Sequence, residues 1–295
     1  MNVVAAPTSP GGVWLITPAT APHRFDTAHT AGADVALLDL EDSVPDADKT
    51  IARRTAIDWL STVAPAAATV LGMRVNALST THGLQDLTAI ARANTALSDV
   101  VLLLPKVEAA RDVELAALAL GAADGPRRIW ALIETPRAIA RLAEILSARQ
   151  LAGVVFGAAD YAAAAGCALT TESLRYPRAA LVAAAAAAGL PAIDTPSFDL
   201  TDTAALRRDA EDARDLGFVG KGAVHTGQLA VIREAFRPSP QQVAAARAVV
   251  AAADKVNGGV TTAGAQMVGP PLVTGARTVL ARVGNVDGRG GEGMS

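Results

Sequence analysis

The sequence predicts a (β/α)8 barrel of the TIM type, followed by a C-terminal helical extension. Short runs rich in leucine and β-branched residues recur along the chain with helical stretches between them, which is typical of parallel strands joined by crossover helices. Eight such units can be counted, the number that closes a barrel. Several runs are apolar throughout, as expected of strands that meet helices on one face and the barrel centre on the other.

The strands are predicted from these runs. In chain order they are Val13 to Pro18, Val35 to Glu41, Val70 to Asn76, Val100 to Lys106, Ile129 to Thr135, Val154 to Ala159, Pro191 to Thr195 and Gly220 to His225. Helix starts separate several of them. Thr135-Pro136 places proline in a first turn, and Thr170 and Thr201-Asp202 supply capping oxygens.

The domain organisation follows from where this repeat stops. Residues 1–237 are predicted to form the barrel and residues 238–284 a helical extension, with helices over Gln241 to Val256 and near Val273 to Val283. Residues 285–295 contain several glycines and no apolar periodicity, so we expect a disordered tail.

Composition excludes several classes of protein. With 51% hydrophobic and 19% charged residues, the 295-residue chain can bury a large core. A net charge of −3 and 3% aromatic residues argue against nucleic acid and anionic membranes as partners. The one cysteine, Cys167, and the lack of a signal segment at the N-terminus fit a cytoplasmic protein.

Glu134 and Asp160 are the best candidates for metal ligands. They end neighbouring predicted strands, where barrel enzymes keep their active sites, and two nearby carboxylates repel unless a cation lies between them. Hard oxygen ligands without a histidine or cysteine pair favour Mg²⁺, with Mn²⁺ possible, over zinc. The alternative is structural: Glu134 would cap the next helix and Asp160 would pair with a surface arginine.

Arg74 is the candidate anchor for a substrate carboxylate, because its planar guanidinium can donate two parallel hydrogen bonds. An ion pair with Glu41 or Asp42 is a plausible alternative, and both roles can hold together. Alternation places Asp39 and Glu41 on one strand face, so both can contact metal-bound water, while Asp42 begins the loop.

Other polar residues carry weaker predictions. Lys106 could balance the acids or contact a substrate carbonyl, but pairing with Glu108 or the second-strand acids is the commoner arrangement. His225 could act as an acid or base, although such a histidine more often makes a fixed hydrogen bond. Cys167 lacks an adjacent base or cation and is expected to pack as a small residue. We expect Lys106, like the second-strand acids, to surround the metal without binding it.

Several motifs in a shared order resemble the HpcH/HpaI aldolase and citrate lyase beta-subunit superfamily, in its citrate lyase beta-like branch. They are Leu37-Leu38-Asp39-Leu40-Glu41-Asp42-Ser43-Val44-Pro45 with Lys49, Arg74-Val75-Asn76, Leu104-Pro105-Lys106-Val107-Glu108, Ile133-Glu134-Thr135, Phe156-Gly157-Ala158-Ala159-Asp160-Tyr161, Pro191-Ala192-Ile193-Asp194, Gly217-Phe218-Val219-Gly220-Lys221, His225 and Ala235-Phe236-Arg237-Pro238-Ser239-Pro240.

The resemblance implies a Mg²⁺-dependent barrel that makes or breaks a carbon–carbon bond in a short acyl thioester, such as malyl-, citramalyl- or citryl-CoA. It implies Glu134 and Asp160 as metal ligands and catalytic residues together with Arg74, and substrate contacts at Arg74, Glu134 and Ala159. The partners would be a 2-oxo or hydroxy acid and an acyl-CoA. Relatives assemble as trimers or hexamers in which the C-terminal extension covers a neighbouring active site.

The sequence departs from the family pattern at a position that matters for turnover. The family often has Met-Val-Asp or Met-Ile-Asp in the tail, with the aspartate acting as acid or base, but this chain has Met267-Val268-Gly269. Loss of such a group commonly costs about 100- to 10,000-fold in rate. An acidic residue is replaced by Ala159, a proline by Thr226, and Thr20 to His23 lacks a lysine that some relatives direct to coenzyme A.

Three functions therefore compete. A lyase acting on a hydroxyacyl thioester is preferred, because the motifs cover nearly the whole chain. An aldolase acting on a free 2-oxo acid is the second, with metal-bound water or His225 replacing the absent aspartate. A catalytically weak accessory protein that binds metal and 2-oxo acid is the third, because of Gly269.

Overall fold

The structure is a computed structural model, and it describes residues 12–64, 69–93, 97–121, 129–255, 259–264 and 266–287. The chain forms two compact units that divide between Arg233 and Glu234. In the described residues, no helix combines the length and apolar character needed to cross a membrane.

The first unit contains a closed barrel of eight parallel strands, which confirms the predicted fold. The strands are β1 (Gly12–Pro18), β2 (Val35–Asp39), β3 (Val70–Arg74), β4 (Val101–Leu104), β5 (Ile129–Ile133), β6 (Leu151–Phe156), β7 (Ala192–Asp194) and β8 (Gly220–Ala223). Each strand pairs with the next in the sequence, and β8 pairs with β1.

Helices follow the strands on the outside of the barrel. They are α1 (Phe25–Thr30), α2 (Lys49–Thr62), α3 (Thr81–Arg92), α4 (Ala110–Ala119), α5 (Pro136–Ala140), α6 (Leu142–Ile145), α7 (Ala158–Ala165), α8 (Thr171–Ala188), α9 (Thr203–Leu216) and α10 (Leu229–Phe236). Predicted caps are present: Thr135 and Thr170 accept hydrogen bonds from the backbone N–H of Ala138 and Ser173. The side chain of Asp202 begins α9 in the same way.

Apolar side chains fill the centre of the barrel. Trp14 and Trp130 pack edge to face there, with ring centroids 4.6 Å apart. Gly153 lies directly beneath the Trp130 ring, where any side chain would overlap it. The same inward alternation that buries Leu37 and Leu132 places Asp39 and Glu134 two residues further along, at the carboxyl end of the barrel.

The second unit begins within α10, at Glu234, and contains α11 (Pro240–Asp254), a short antiparallel hairpin of β9 (Thr261–Ala263) and β10 (Gln266–Val268), and α12 (Pro270–Asp287). Ala246, Val249, Val268 and Ala276 form its apolar centre. The link between the two predicted helices therefore contains a hairpin. Helix α12 continues to Asp287, three residues into the predicted tail, and residues 288–295 lie outside the described part of the chain.

Candidate active site

Glu134, Lys106 and Asp160 meet at the carboxyl ends of β4, β5 and β6. Lys106 Nζ contacts Asp160 Oδ1 and lies 3.6 Å from Glu134 Oε1, so one ammonium group faces both carboxylates. The backbone N–H of Lys106 also donates to Glu134 Oε1 at 2.8 Å. The two predicted metal ligands are therefore brought to one point, where the structure places a positive charge.

The backbone of Lys106 explains this arrangement. Lys106 has φ of +53°, in the left-handed region that non-glycine residues rarely adopt, at a cost of about 1–2 kcal/mol. In this conformation both its backbone N–H and its ammonium group reach the acids across the rim. The predicted pairing of Lys106 with Glu108 is wrong, because Glu108 instead accepts a hydrogen bond from Thr135 Oγ1 at 2.8 Å. The ion pairs of Lys106 are with Glu134 and Asp160, and the second-strand acid Glu41 attracts it electrostatically.

Glu134 is nearly inaccessible to solvent, with a side chain 1% exposed. Burial raises the pKa of Glu134 to about 7, against the lowering effects of Lys106 and Arg74. The space for its carboxylate comes from Gly157, where an added Cβ would lie 2.5 Å from Glu134 Cβ and 2.7 Å from Oε2. The capping role considered for Glu134 is wrong, because Thr135 caps α5.

Asp160 lies in the first turn of α7, not in the strand-to-loop segment expected from the sequence. The predicted sixth strand extended to Ala159, but β6 ends at Phe156 and the alanine-rich segment after Gly157 is helical. Ala159, the proposed substrate contact, is exposed in the same turn. The side chain of Asp160 is 39% exposed and pairs with Lys106, not with a surface arginine.

Asp39 on β2 lies opposite Arg74 on the neighbouring strand β3 and orients its side chain. Arg74 Nε and Nη2 donate to the two oxygens of Asp39 at 2.6 and 2.7 Å. Arg74 Nη1 lies 2.8 Å from Glu41 Oε2 and 3.4 Å from Asp42 Oδ2. The predicted ion pair with Glu41 and Asp42 is thus present, and Asp39 adds a two-bond contact that the sequence did not single out.

Asp39, Glu41 and Asp42 differ in burial, and the pKa values of the two buried acids shift in opposite directions. Burial opposes ionisation of Asp39, but Arg74 and hydrogen bonds from Ser43 and the Glu41 backbone outweigh it, so the pKa of Asp39 lies below its ordinary value. Burial raises the pKa of Glu41 to about 8, although Arg74 lowers it. The side chain of Asp42 is 58% exposed.

Lys49 follows the Leu37 to Pro45 motif, and the sequence alone assigns it no contact. Its Nζ donates to the carbonyl oxygens of Leu40 and Glu41 at 2.8 and 2.7 Å, and the residue is buried. From the start of α2 it therefore holds the loop that carries Glu41 and Asp42. A lysine seven residues after Asp42 gives no sequence signal of this contact, because the acceptors are backbone oxygens.

Lys221 and His225, at the last strand, lie apart from these acids. Lys221 points outward from β8, where it is fully buried and contacts Asp194 at 2.8 Å and Asp209 at 2.6 Å. Arg178 on α8 joins the same cluster through two hydrogen bonds to Asp194. The ring of His225 accepts a hydrogen bond from the Gly227 N–H at 3.1 Å, the fixed contact considered most common.

The donor groups at the rim fit a hard divalent cation. Glu134 and Asp160 offer carboxylate oxygens that already face one ammonium group, and the charge repulsion between them favours a cation. Among the residues that the structure describes, no group of three or more histidine, cysteine, aspartate or glutamate side chains is gathered around a metal position. Water and substrate would supply the remaining ligands, as is usual for Mg²⁺.

A closed parallel barrel with its charged residues at the carboxyl ends of the strands defines the chain as a TIM-barrel enzyme. The sequence pattern of the HpcH/HpaI aldolase/citrate lyase family matches residues 12–226. The chain belongs to this family of carbon–carbon lyases.

Two related proteins and one solved structure illustrate the similarity. The citrate lyase subunit beta-like protein of Mycobacterium tuberculosis (strain H37Rv) is 38% identical over 96% of this chain and 98% of its own. The L-malyl-CoA/beta-methylmalyl-CoA lyase of Rhodobacter capsulatus is 32% identical over 82% and 83%. The structure of CitE from Mycobacterium tuberculosis with magnesium, acetoacetate and coenzyme A covers 96% of this chain and all of its own, at 34% identity and a TM-score of 0.79.

Proposed function

We propose that the chain is a Mg²⁺-dependent carbon–carbon lyase that cleaves a short hydroxyacyl thioester, such as malyl-, citramalyl- or citryl-CoA, and releases a 2-oxo acid. The observation that carries the proposal is the convergence of Glu134 and Asp160 on one cation position. Arg74 is close enough to lower the pKa of Glu134, so a substrate carboxylate and a metal can be held together. The magnesium and coenzyme A complex of the Mycobacterium tuberculosis relative supports this substrate class.

Each residue has a separable task in this proposal. Glu134 and Asp160 would hold Mg²⁺, and Arg74, oriented by Asp39, would bind the substrate carboxylate through its Nη1 edge, which Asp39 does not contact. When bound, Mg²⁺ supplies positive charge that polarises the oxygens of the 2-oxo acid. Lys106 must release Asp160 to admit the metal, and its ammonium group then remains at the rim as a donor to substrate oxygen.

A panel of the three CoA thioesters tests the proposal. Purified protein with Mg²⁺ should release free 2-oxo acid from at least one of them, and Glu134→Gln should abolish the release. The matched control is Glu144→Gln, which removes the charge of a glutamate that pairs with Arg141 on the outer surface. Absence of cleavage by the wild-type protein, with Mg²⁺ binding intact, would contradict the lyase proposal.

A second candidate, a weakly catalytic protein that binds metal and 2-oxo acid, is favoured by one observation. Gly269 has no side chain where the family resemblance implies an acid or base. A side chain can be added there without overlap, because an added Cβ would make ordinary van der Waals contacts, 3.9 Å from Pro271 Cδ and 4.0 Å from Val260 Cγ2. Gly269→Asp should therefore fold normally, and a rise in turnover of the order of 100-fold would identify the missing proton-transfer group.

A further inference from the structure

Asp39 and Glu41 contact different nitrogen atoms of the Arg74 guanidinium group. Asp39, whose side chain is fully buried, takes Nε and one N–H of Nη2 through two short hydrogen bonds. Such a buried two-bond pair is costly to break, so this edge is not available to a substrate. The Nη1 edge is left, and there Glu41 Oε2 lies 2.8 Å away.

Glu41 is kept at this edge by its own loop. Its backbone N–H donates to Asp39 Oδ1 at 2.9 Å, and its carbonyl oxygen accepts from Lys49 Nζ at 2.7 Å. The side chain of Glu41 is 8% exposed, whereas that of Asp42 is 58% exposed and 3.4 Å from the same nitrogen. Glu41 is therefore the carboxyl group that an incoming carboxylate would meet on Arg74.

Two anions at one edge of a guanidinium group repel each other when water is excluded. The charged groups around Glu41 do not relieve this repulsion fully: Arg74 and Lys106 attract its negative charge, but Glu134 and Asp42 oppose it. Burial, the largest effect, favours the neutral form and raises the pKa of Glu41 to about 8. Protonation is thus the least costly way for Glu41 to remain beside a bound carboxylate.

We propose that Glu41 occupies the substrate-carboxylate position on Arg74 and takes up one proton when the carboxylate of a 2-oxo acid binds. The inference rests on the proposed function, because it takes Arg74 as the contact for the substrate carboxylate. The proton comes from solvent and ends on the Glu41 carboxyl group, which then donates or accepts a neutral hydrogen bond. An ionised Glu41 competes with the substrate.

Calorimetric titration with pyruvate at saturating Mg²⁺ tests this coupling. Wild-type protein is compared with Glu41→Gln, which keeps the shape and removes the charge, and with Asp48→Asn, an exposed acid on the same loop whose side chain makes no capping bond. Glu41→Ala is measured as well, so that a folding defect of one variant, checked by circular dichroism, is not decisive. Two buffers with different ionisation enthalpies count the protons taken up.

In the wild-type protein, pyruvate affinity should fall by up to about tenfold per pH unit above the pKa of Glu41, about 8. Proton uptake should rise over the same range toward about one per bound pyruvate. Glu41→Gln and Glu41→Ala should lose both the fall and the uptake, while Asp48→Asn should match the wild type. Mg²⁺ affinity, measured for each variant at each pH, separates loss of metal from this effect.

Two results would overturn the inference in different ways. An unchanged alkaline fall in both Glu41 variants would show that Glu41 does not compete, and would leave the proposed function standing. No pyruvate binding by the Mg²⁺-loaded wild-type protein at any pH would overturn the role of Arg74 and the proposed function with it.

Discussion

Glu134 is the side chain on which the proposed metal site depends most. Its carboxylate is buried and accepts one backbone hydrogen bond, from Lys106, which leaves oxygen lone pairs directed to the cation position. Asp160 is more exposed and lies on a different element. A buried carboxylate with a raised pKa is poorly stabilised without a cation, so Glu134 should gain most from metal binding.

Glu134→Gln should remove Mg²⁺ binding. The amide keeps the shape of the side chain but supplies no charge, so the loss should exceed the roughly 10- to 100-fold that loss of an outer partner causes. Titration calorimetry with Mg²⁺ measures it, with Glu144→Gln as the control for an exposed glutamate. Equal affinities of the two variants would show that the metal binds elsewhere.

At the same scale, charge type and the pairing of Arg74 with Glu41 could be read from the sequence, but the partners of Lys106 and Asp160 could not. Alternation along β2 and β3 brought Asp39 and Arg74 to the rim, because inward positions repeat every second residue. The left-handed backbone of Lys106 has no sequence signal, since non-glycine residues seldom adopt it. Its contact with Asp160, fifty-four residues away, is made from that backbone conformation.

At the scale of elements, the junction between β6 and α7 positions the site. Gly157 separates the two, and the helix begins at Ala158, whose N–H lies 3.4 Å from Thr195 Oγ1 on the neighbouring β7 segment. The sequence placed this junction too late, because Gly157-Ala158-Ala159 is apolar and continues the strand pattern. Helix α7 nevertheless keeps Asp160 at the rim, since it starts where β6 ends.

Gly157→Ala should weaken Mg²⁺ binding without unfolding the barrel. The new methyl group would press on Glu134 Cβ and Oε2 and turn the carboxylate away from the cation position. We expect a fall in affinity of about 10- to 100-fold, as for loss of groups that orient a ligand.

The control for this change is Gly166→Ala at the other end of α7. Gly166 has φ of +66° with open space around it, so alanine there should cost about 1–2 kcal/mol of stability and leave Mg²⁺ affinity unchanged. Mg²⁺ titration and thermal unfolding together separate the two effects. Equal loss of metal affinity in both variants would contradict a local role for Gly157.

The charged cluster between β7, β8, α8 and α9 has a structural task. Asp194 and Lys221 are both fully buried, and Arg178 joins them from α8. Lys221→Met should destabilise the protein by about 3–5 kcal/mol, because the buried Asp194 would lose one of its two cations and the partly exposed Asp209 would lose its 2.6 Å contact. Urea unfolding measures this loss, with the exposed Lys255→Met as control. A loss below about 1 kcal/mol would show that Arg178 alone compensates both acids.

At the scale of the whole molecule, the barrel was predictable because its eight strands follow one another in both sequence and space. Each apolar run has its partners one unit away, so the order of the strands needed no long-range information. The second unit was less predictable. Thr261–Ala263 and Gln266–Val268 are too short and polar to signal strands, and the hairpin is held by the packing of β10 with α11 and α12.

Glu41 and Glu134, at the carboxyl end of the barrel, make the stability of the metal-free protein depend on pH. Burial raises the pKa of Glu134 to about 7 and that of Glu41 to about 8, from ordinary values of 4.5. Between about pH 4.5 and about pH 8, the folded protein binds more protons than the unfolded chain. The free energy of unfolding therefore falls as pH rises through this range. Asp39 affects stability at lower pH. Its lowered pKa stabilises the folded protein above about pH 3.8, and this contribution is lost as pH falls further.

The thermal unfolding midpoint of metal-free protein should therefore decrease from about pH 5 to about pH 8. The double variant Glu41→Gln/Glu134→Gln should flatten this profile, whereas Glu114→Gln/Glu172→Gln, at two exposed positions, should leave it unchanged. Mg²⁺ should raise the midpoint most above about pH 7, where Glu134 is ionised before the metal binds. A midpoint that rises with pH in the metal-free protein would show that other groups outweigh Glu41 and Glu134.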